Sequence, residues 1–140
     1  MEIEKDFIKR EIKKLILLLN SLIGKISGIN SNNAGSEIGN INEALKNEFD
    51  LSLVRLAKME NSEFIERISE LHESHAEKIL ELIYEIVLKT ELVDFGEDFE
   101  KTEIIQKGII MIDFINEKSK TFSIKRMNMK SSLNQLRKVS

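Results

Sequence analysis

The sequence predicts an all-α fold, a single-domain bundle of about six or seven helices. Apolar residues recur at steps of three and four through most of the 140 residues. The chain contains no proline and only 6 glycines, so little interrupts long helices. No segment sustains the alternation of apolar and polar residues that is typical of a strand. The apolar run at 109–112 lies within a longer helical period and has no hairpin signal nearby.

The first predicted element is a long N-terminal helix within residues 1–27, running from about residue 3 to residue 26. Its second half is apolar on nearly every side, so neighbouring helices or a second copy of the chain must cover it. We therefore expect a homodimer through this helix. The residues predicted at that interface are Leu15, Leu19, Leu22 and Ile26. The full apolar stripe also includes Ile8 and Ile12.

A flexible loop is predicted at residues 28–36, which are rich in glycine, asparagine and serine. A helical body at 37–118 follows, and a basic C-terminal helix or arm at 119–140 ends the chain. Asp50 is predicted to cap a short helix at 51–59, and Asn61 or Ser62 to cap the next. Ser123 is predicted to cap the helix of the arm. The predicted helices of the body cover 37–49, 51–59, a segment from 61 or 62, 74–90 and 99–118.

The last two helices of the body form a predicted hairpin around Gly96, with Gly108 where the second helix must approach a neighbour closely. This hairpin resembles one tetratricopeptide unit. The segments at 6–12, 64–65 and 82–84 together with the hairpin resemble an uncharacterised group of short bacterial all-helical proteins. That resemblance covers most of the chain in spacing and hydrophobic type. It implies a helical fold and no catalytic residue.

The formal charge of −3 is unevenly distributed along the chain. Residues 43–117 hold 19 acidic and 8 basic residues, whereas residues 118–140 hold seven basic residues and no acidic one. Three uses of this basic arm remain open, with Lys125, Arg126 and Lys130 as its candidate contacts. It folds back on the acidic body of its own or a sister chain, it binds nucleic-acid phosphates, or it docks on another protein or an anionic membrane. The sequence pI near 5.5 speaks against a dedicated nucleic-acid binder.

Two histidines, His72 and His75, are the one candidate for metal chemistry. Their spacing of three places both imidazoles on one helix face, where carboxylates would have to complete a metal site. The alternative is a pair of ordinary polar residues near a helix start. A row of glutamates at 60–85, in steps of three and four, is similarly more typical of a solvated face than of a cation site.

Composition excludes several functions. The chain has no cysteine, hence no disulfide, thiolate ligand or cysteine nucleophile. It contains no P-loop, dinucleotide fingerprint, nucleophile elbow or kinase motif, and we predict no cofactor. The charged opening lacks the apolar core of a signal peptide, which predicts a cytoplasmic location. The sequence thus favours a non-catalytic interaction or regulatory protein, with a metal-binding bundle and a nucleic-acid accessory factor as alternatives.

Overall fold

The computed structural model describes the backbone of residues 2–139 and the side chains of residues 4–138. Within these limits the chain forms seven helices and no strand, which confirms the all-α prediction. None of the helices in this range is both long and apolar enough to cross a membrane. The helices are α1 Glu2–Ile26, α2 Ala34–Phe49, α3 Leu53–Lys58, α4 Asn61–Ser69, α5 Glu73–Lys89, α6 Lys101–Ser119 and α7 Ile124–Val139.

Helices α5 and α6 form the centre of the bundle. Helix α5 packs against α1 on one side and α6 on the other, and α6 also packs against α3, α4 and α7. This position explains why α6 buries side chains around most of its circumference, including an unbroken buried run at 107–109. A helix covered from several sides must be apolar on several sides, and isoleucine supplies most of that surface here.

Helix α1 runs parallel to α5 and is longer than it. Near one end, the Nε2 atom of His75 lies 3.1 Å from the carbonyl oxygen of Ile12, and near the other the Lys89 ammonium donates to the carbonyl of Ser27 at 3.1 Å. Helix α1 begins ten residues before Ile12, whereas α5 begins two residues before His75. At 1.5 Å per residue, α1 therefore extends about 12 Å beyond the start of α5. We call residues 4–11 the α1 overhang.

The segment after α1 is shorter than the loop predicted at 28–36, since α2 begins at Ala34. Its backbone is held by asparagine side chains. The Oδ1 atom of Asn30 accepts from the backbone N–H groups of Asn32 and Asn33 at 2.8 and 3.0 Å. The Asn33 side-chain amide donates in turn to the carbonyl of Gly28 at 3.2 Å. Asparagine thus forms a local turn here, as its short side chain does in many loops.

The capping prediction for Asp50 is wrong. Asp50 ends α2 in the left-handed conformation, with φ 51° and ψ 40°, and does not cap α3. The residue that caps α3 is Ser52, whose hydroxyl accepts from the backbone N–H of Arg55 at 3.1 Å. Both residues are good caps by type, and a left-handed residue at the end of α2 leaves room for a serine cap two positions later.

The next cap also differs from its prediction, whereas the last one agrees. Helix α4 starts at Asn61 itself, with Glu60 before it and no side-chain cap, so neither Asn61 nor Ser62 has the capping role. Ser123 does cap α7, because its hydroxyl accepts from the backbone N–H of Arg126 at 3.2 Å. The serine fits the capping pattern because the connection ahead of it is not helical, so the first N–H groups of α7 have no partners from a preceding turn.

The predicted hairpin is present as α5 and α6, and its glycines have the expected roles. A Cβ atom at Gly108 would lie 3.1 Å from Cδ1 of Leu133 and 3.5 Å from Cγ2 of Ile83, so α6 does approach its neighbours closely there. Gly96 has φ +93°, a conformation that other residues rarely adopt. The likeness of this hairpin to a tetratricopeptide unit stays a prediction.

A candidate interaction surface at one end of the bundle

Four helices terminate at the same end of the molecule, which we call the overhang end. Helices α1, α5 and α7 begin there and α6 ends there. Arg126, near the start of α7, joins three of them: its guanidinium donates to Oδ1 of Asn116 in α6 at 2.6 Å and forms an ion pair with Glu77 in α5. It also donates to the carbonyl of Thr121 at 3.1 Å.

The α1 overhang carries two large apolar side chains that its own chain leaves uncovered. The exposed fraction of Phe7 is 60% and that of Ile8 is 56%. Ile8 continues the stripe whose later members are buried, so the sequence predicts it as a core residue. It is exposed because α5, which covers the rest of the stripe, begins at Glu73, only two residues before His75 at the level of Ile12, and does not reach Ile8.

The residues predicted at a homodimer interface are mostly inside the chain's own core. Leu19, Leu22 and Ile26 are buried against the rest of the bundle, and Leu15 is half-buried beside them. The second half of α1 is thus covered by this chain's own α5. The homodimer itself stays a prediction. The large apolar side chains of α1 that are exposed in this chain are Phe7, Ile8 and Leu17.

A cleft of about 290 Å³ opens at the overhang end between α4, α5, α6 and the connection to α7. Its floor is apolar and its rim is charged. The floor is formed by Ile68, Leu71, Ala76, Phe114 and Ile115. The rim includes Glu73, Glu77, Lys118 and Arg126, and the Lys118 ammonium lies 5.7 Å from the centre of the Phe114 ring. An apolar floor with a charged rim suits an apolar side chain presented by a polar segment.

The basic arm forms α7 and makes ion pairs within its own chain. Besides the Arg126 contacts, Nζ of Lys130 lies 2.6 Å from Oδ1 of Asp113, and Nζ of Lys125 lies 3.5 Å from Oε2 of Glu81. These contacts correspond to the first of the three alternatives, an arm folded on its own acidic body. The same contacts pair Lys125, Arg126 and Lys130, the three cations predicted to bind nucleic-acid phosphates, with carboxylates of this chain. Nucleic-acid binding by the arm stays a prediction.

The two histidines lie close together, but each uses a ring nitrogen for a structural contact. Their ring centres are 5.6 Å apart. The Nδ1 atom of His72 accepts from the backbone N–H of Ser74 at 3.1 Å and so caps α5, while His75 is buried with Nε2 at the carbonyl of Ile12. Among the residues that the structure describes, no group of three or more histidine or acidic side chains is placed to hold a metal ion. The metal site stays a prediction.

A buried lysine was missed by the sequence interpretation. The exposed fraction of Lys107, in α6, is 1%. Its ammonium donates to Oδ1 of Asn61 at 3.2 Å and lies 6.0 Å from the centre of the Phe64 ring. A signal was available, because Ile104 and Met111 place Lys107 on an apolar helix face. Lys107 lines none of the clefts found among the described residues, and it forms no ion pair with a described side chain.

Comparison with known family models, curated proteins and solved structures finds no match to this chain. Two structural features of this chain bear on function: the α1 overhang and the cleft at the same end.

Proposed function

We propose that this protein is a non-catalytic helical interaction module that binds a protein partner through the overhang end. One observation carries the proposal: Ile8 continues a core stripe past the point where the chain covers it, and Phe7 beside it is exposed as well. Each Å² of apolar surface removed from water contributes about 25 cal/mol, so covering these two side chains favours a complex. The partner completes a surface that the monomer leaves open.

The surroundings of these two side chains support a protein interface. Lysine and arginine side chains flank them along the exposed part of α1, which gives an apolar centre with a polar rim. Three further apolar residues are exposed near the start of α7, at the same end. They are Phe122, Ile124 and Met127. Apolar exposure concentrated in one region is the usual mark of an interaction surface.

Affinity capture from the protein's native host tests the proposal. Wild type is compared with Phe7→Ser/Ile8→Ser, and captured proteins are identified by mass spectrometry with and without nuclease. Leu92→Ser is the matched control, because Leu92 is 81% exposed but lies beyond the opposite end of α5. We expect a captured protein, either a second copy or another chain, that resists nuclease, survives Leu92→Ser and is lost in the double variant. Identical captures by all three proteins would exclude the overhang as the binding surface.

A further inference from the structure

We infer that the partner at the overhang end is a second copy of this chain. Each copy lays its α1 overhang across the α4–α5 corner of the other and seats Phe7 or Ile8 in the other's cleft. This inference rests on the proposed function and identifies its partner. It places the contact on residues 4–11 and on the cleft, not on Leu19, Leu22 and Ile26, which are buried within the chain.

Shape is the first support for this pairing. One surface is a projecting helix with two exposed apolar side chains, and the other is a cleft with an apolar floor. The cleft volume of about 290 Å³ is sufficient for one aromatic or branched side chain. Both surfaces lie at the same end of each molecule, so a two-fold axis at that end can bring them together twice.

Charge is the second support. The overhang and the turn after it, residues 4–14, hold five basic and three acidic residues, and all of them are exposed. The α4–α5 corner, residues 60–77, holds six acidic residues and one arginine. That arginine, Arg67, already faces Asp50 and Glu70. Several charged side chains on both surfaces form no ion pair among the described side chains: the lysines of the overhang, and Glu63, Glu66 and Glu73 of the corner. The overhang lysines of one copy can therefore pair with these glutamates of the other.

The cleft also contains cations, which the overhang can accommodate. Lys118 lies on the rim without an acidic partner among the described contacts, and Arg126 is already paired with Glu77. Glu4 and Asp6, at the tip of the overhang, provide carboxylates of the opposite charge. Residues 4–6 carry a net charge of −1 and residues 7–11 a net charge of +1, which favours one direction of the overhang across the cleft.

Symmetry is the third support. Reciprocal docking about a two-fold axis uses each surface once per copy and closes the assembly at two chains. A single short overhang would bury too little area for a stable interface, which takes about 1,200 Å² or more in total. Two equivalent contacts double the area, so we expect a dimer whose formation depends on protein concentration.

The first test uses Phe7→Trp in the full chain. The protein has no tryptophan, so the new residue is the only indole that reports. We expect its emission to shift to shorter wavelength as concentration rises, in step with dimer formation in sedimentation equilibrium. Leu92→Trp is the control and should keep the emission of an exposed indole. A Phe7→Trp chain that stays monomeric, with solvent-exposed emission at every concentration, would overturn the inference.

The second test is charge reversal with rescue. Glu73→Lys alone and Lys9→Glu/Arg10→Glu alone are each expected to weaken dimerisation tenfold or more, about 1.4 kcal/mol. Combining the three substitutions should restore most of the affinity, since the opposite charges face each other again. Circular dichroism verifies that each variant folds, and Glu97→Lys, near Gly96, is the control charge reversal. Failure of the combined variant to recover would reject the contact between these two surfaces.

The outcomes separate this inference from the proposed function. A chain that stays monomeric while Phe7→Ser/Ile8→Ser loses a different captured protein rejects the second copy and keeps the interaction module. A monomer that captures nothing through the overhang rejects both.

Discussion

The Nε2 atom of His75 in α5 lies 3.1 Å from the carbonyl oxygen of Ile12 in α1. Because a carbonyl oxygen only accepts hydrogen bonds, Nε2 carries the hydrogen and the contact defines the tautomer of the ring. The same ring packs edge-on against Phe49, with 5.5 Å between the ring centres. One buried histidine thus joins α1, α2 and α5 at the level where the overhang begins.

Replacing His75 by alanine should lower the free energy of unfolding by about 2–3 kcal/mol, because it removes a hydrogen bond and leaves a cavity beside Phe49. His72→Ala is the matched control. It removes only the exposed cap of α5 and should cost about 1 kcal/mol. Urea unfolding measures both. Equal losses in the two variants would contradict the structural role of His75.

The helices could be predicted from the sequence because each has a regular apolar period, and most predicted boundaries lie within three residues of those observed. The caps were less predictable, since Asp50 and Ser52 are both suitable types and only the chain's path at the end of α2 decides between them. His75 had a readable signal: it lies four and seven residues before Ile79 and Leu82, on the buried face of α5.

The exposed part of α1 could not be predicted in the same way. Ile8 and Leu19 belong to one stripe, and periodicity alone gives them the same environment. Their environments differ because α5 covers Leu19 but begins too late to cover Ile8, and the start of α5 lies more than 60 residues further along the chain.

The intrachain pairing of the basic arm was one of three open alternatives, because the sequence shows that opposite charges are present but not which of them form ion pairs. The candidate site at the overhang end therefore had to be found in the structure.

Arg126 and Lys125 are adjacent cations in α7 with different surroundings. The Arg126 side chain is 8% exposed and that of Lys125 is 65% exposed. Arg126→Ala should lower the free energy of unfolding by about 2–3 kcal/mol, since Asn116 and the Thr121 carbonyl lose their donor and Glu77 its cation. Lys125→Ala should cost less than about 1 kcal/mol. Chemical denaturation distinguishes them, and similar losses would mean that the Arg126 contacts contribute little.

Glycines 39 and 108 should respond in opposite ways to a side chain. A Cβ at Gly39 meets nothing within 4 Å, so Gly39→Ala should stabilise α2 by about 0.5–1 kcal/mol through helix propensity. Gly108→Val adds bulk where Leu133 and Ile83 already approach, and should destabilise by about 1–3 kcal/mol. Thermal unfolding of the two variants tests this. A stabilised Gly108→Val chain would show that α6 and α7 pack less closely than described.

Asp50 should make the stability of the protein depend on pH in the acid range. The Arg55 guanidinium, by its hydrogen bond and its charge, lowers the pKa of the Asp50 carboxyl below its ordinary value. A lowered pKa in the folded state stabilises the fold above the unfolded pKa of about 3.9, and this contribution is lost as the pH falls through the lower, folded pKa.

The variant that isolates this charge is Asp50→Asn, since asparagine also tolerates the left-handed conformation. Wild type should be more stable than the variant at pH 7, and the difference should disappear as the pH falls through the lowered pKa of the folded state. Asp98→Asn, at an exposed residue without a described ion pair, is the control and should leave the pH dependence of the wild type unchanged. A difference that stayed constant across the acid range would assign the effect to shape, not charge.

Lys107 is the residue whose removal should stabilise the fold. Its ammonium is buried with one amide oxygen and one aromatic ring as described partners, and no carboxylate lies within ion-pair distance among the described side chains. Burying a cation costs more than these contacts return, whereas methionine fills a similar volume without a charge. Lys107→Met should therefore raise the free energy of unfolding by about 1 kcal/mol or more.

Lys107→Ala separates the effect of removing the charge from the effect of filling the space. It removes the charge but leaves a cavity, so it should be less stable than Lys107→Met. If Lys107→Met unfolds more easily than wild type in urea, the ammonium makes a favourable interaction beyond Asn61 and Phe64.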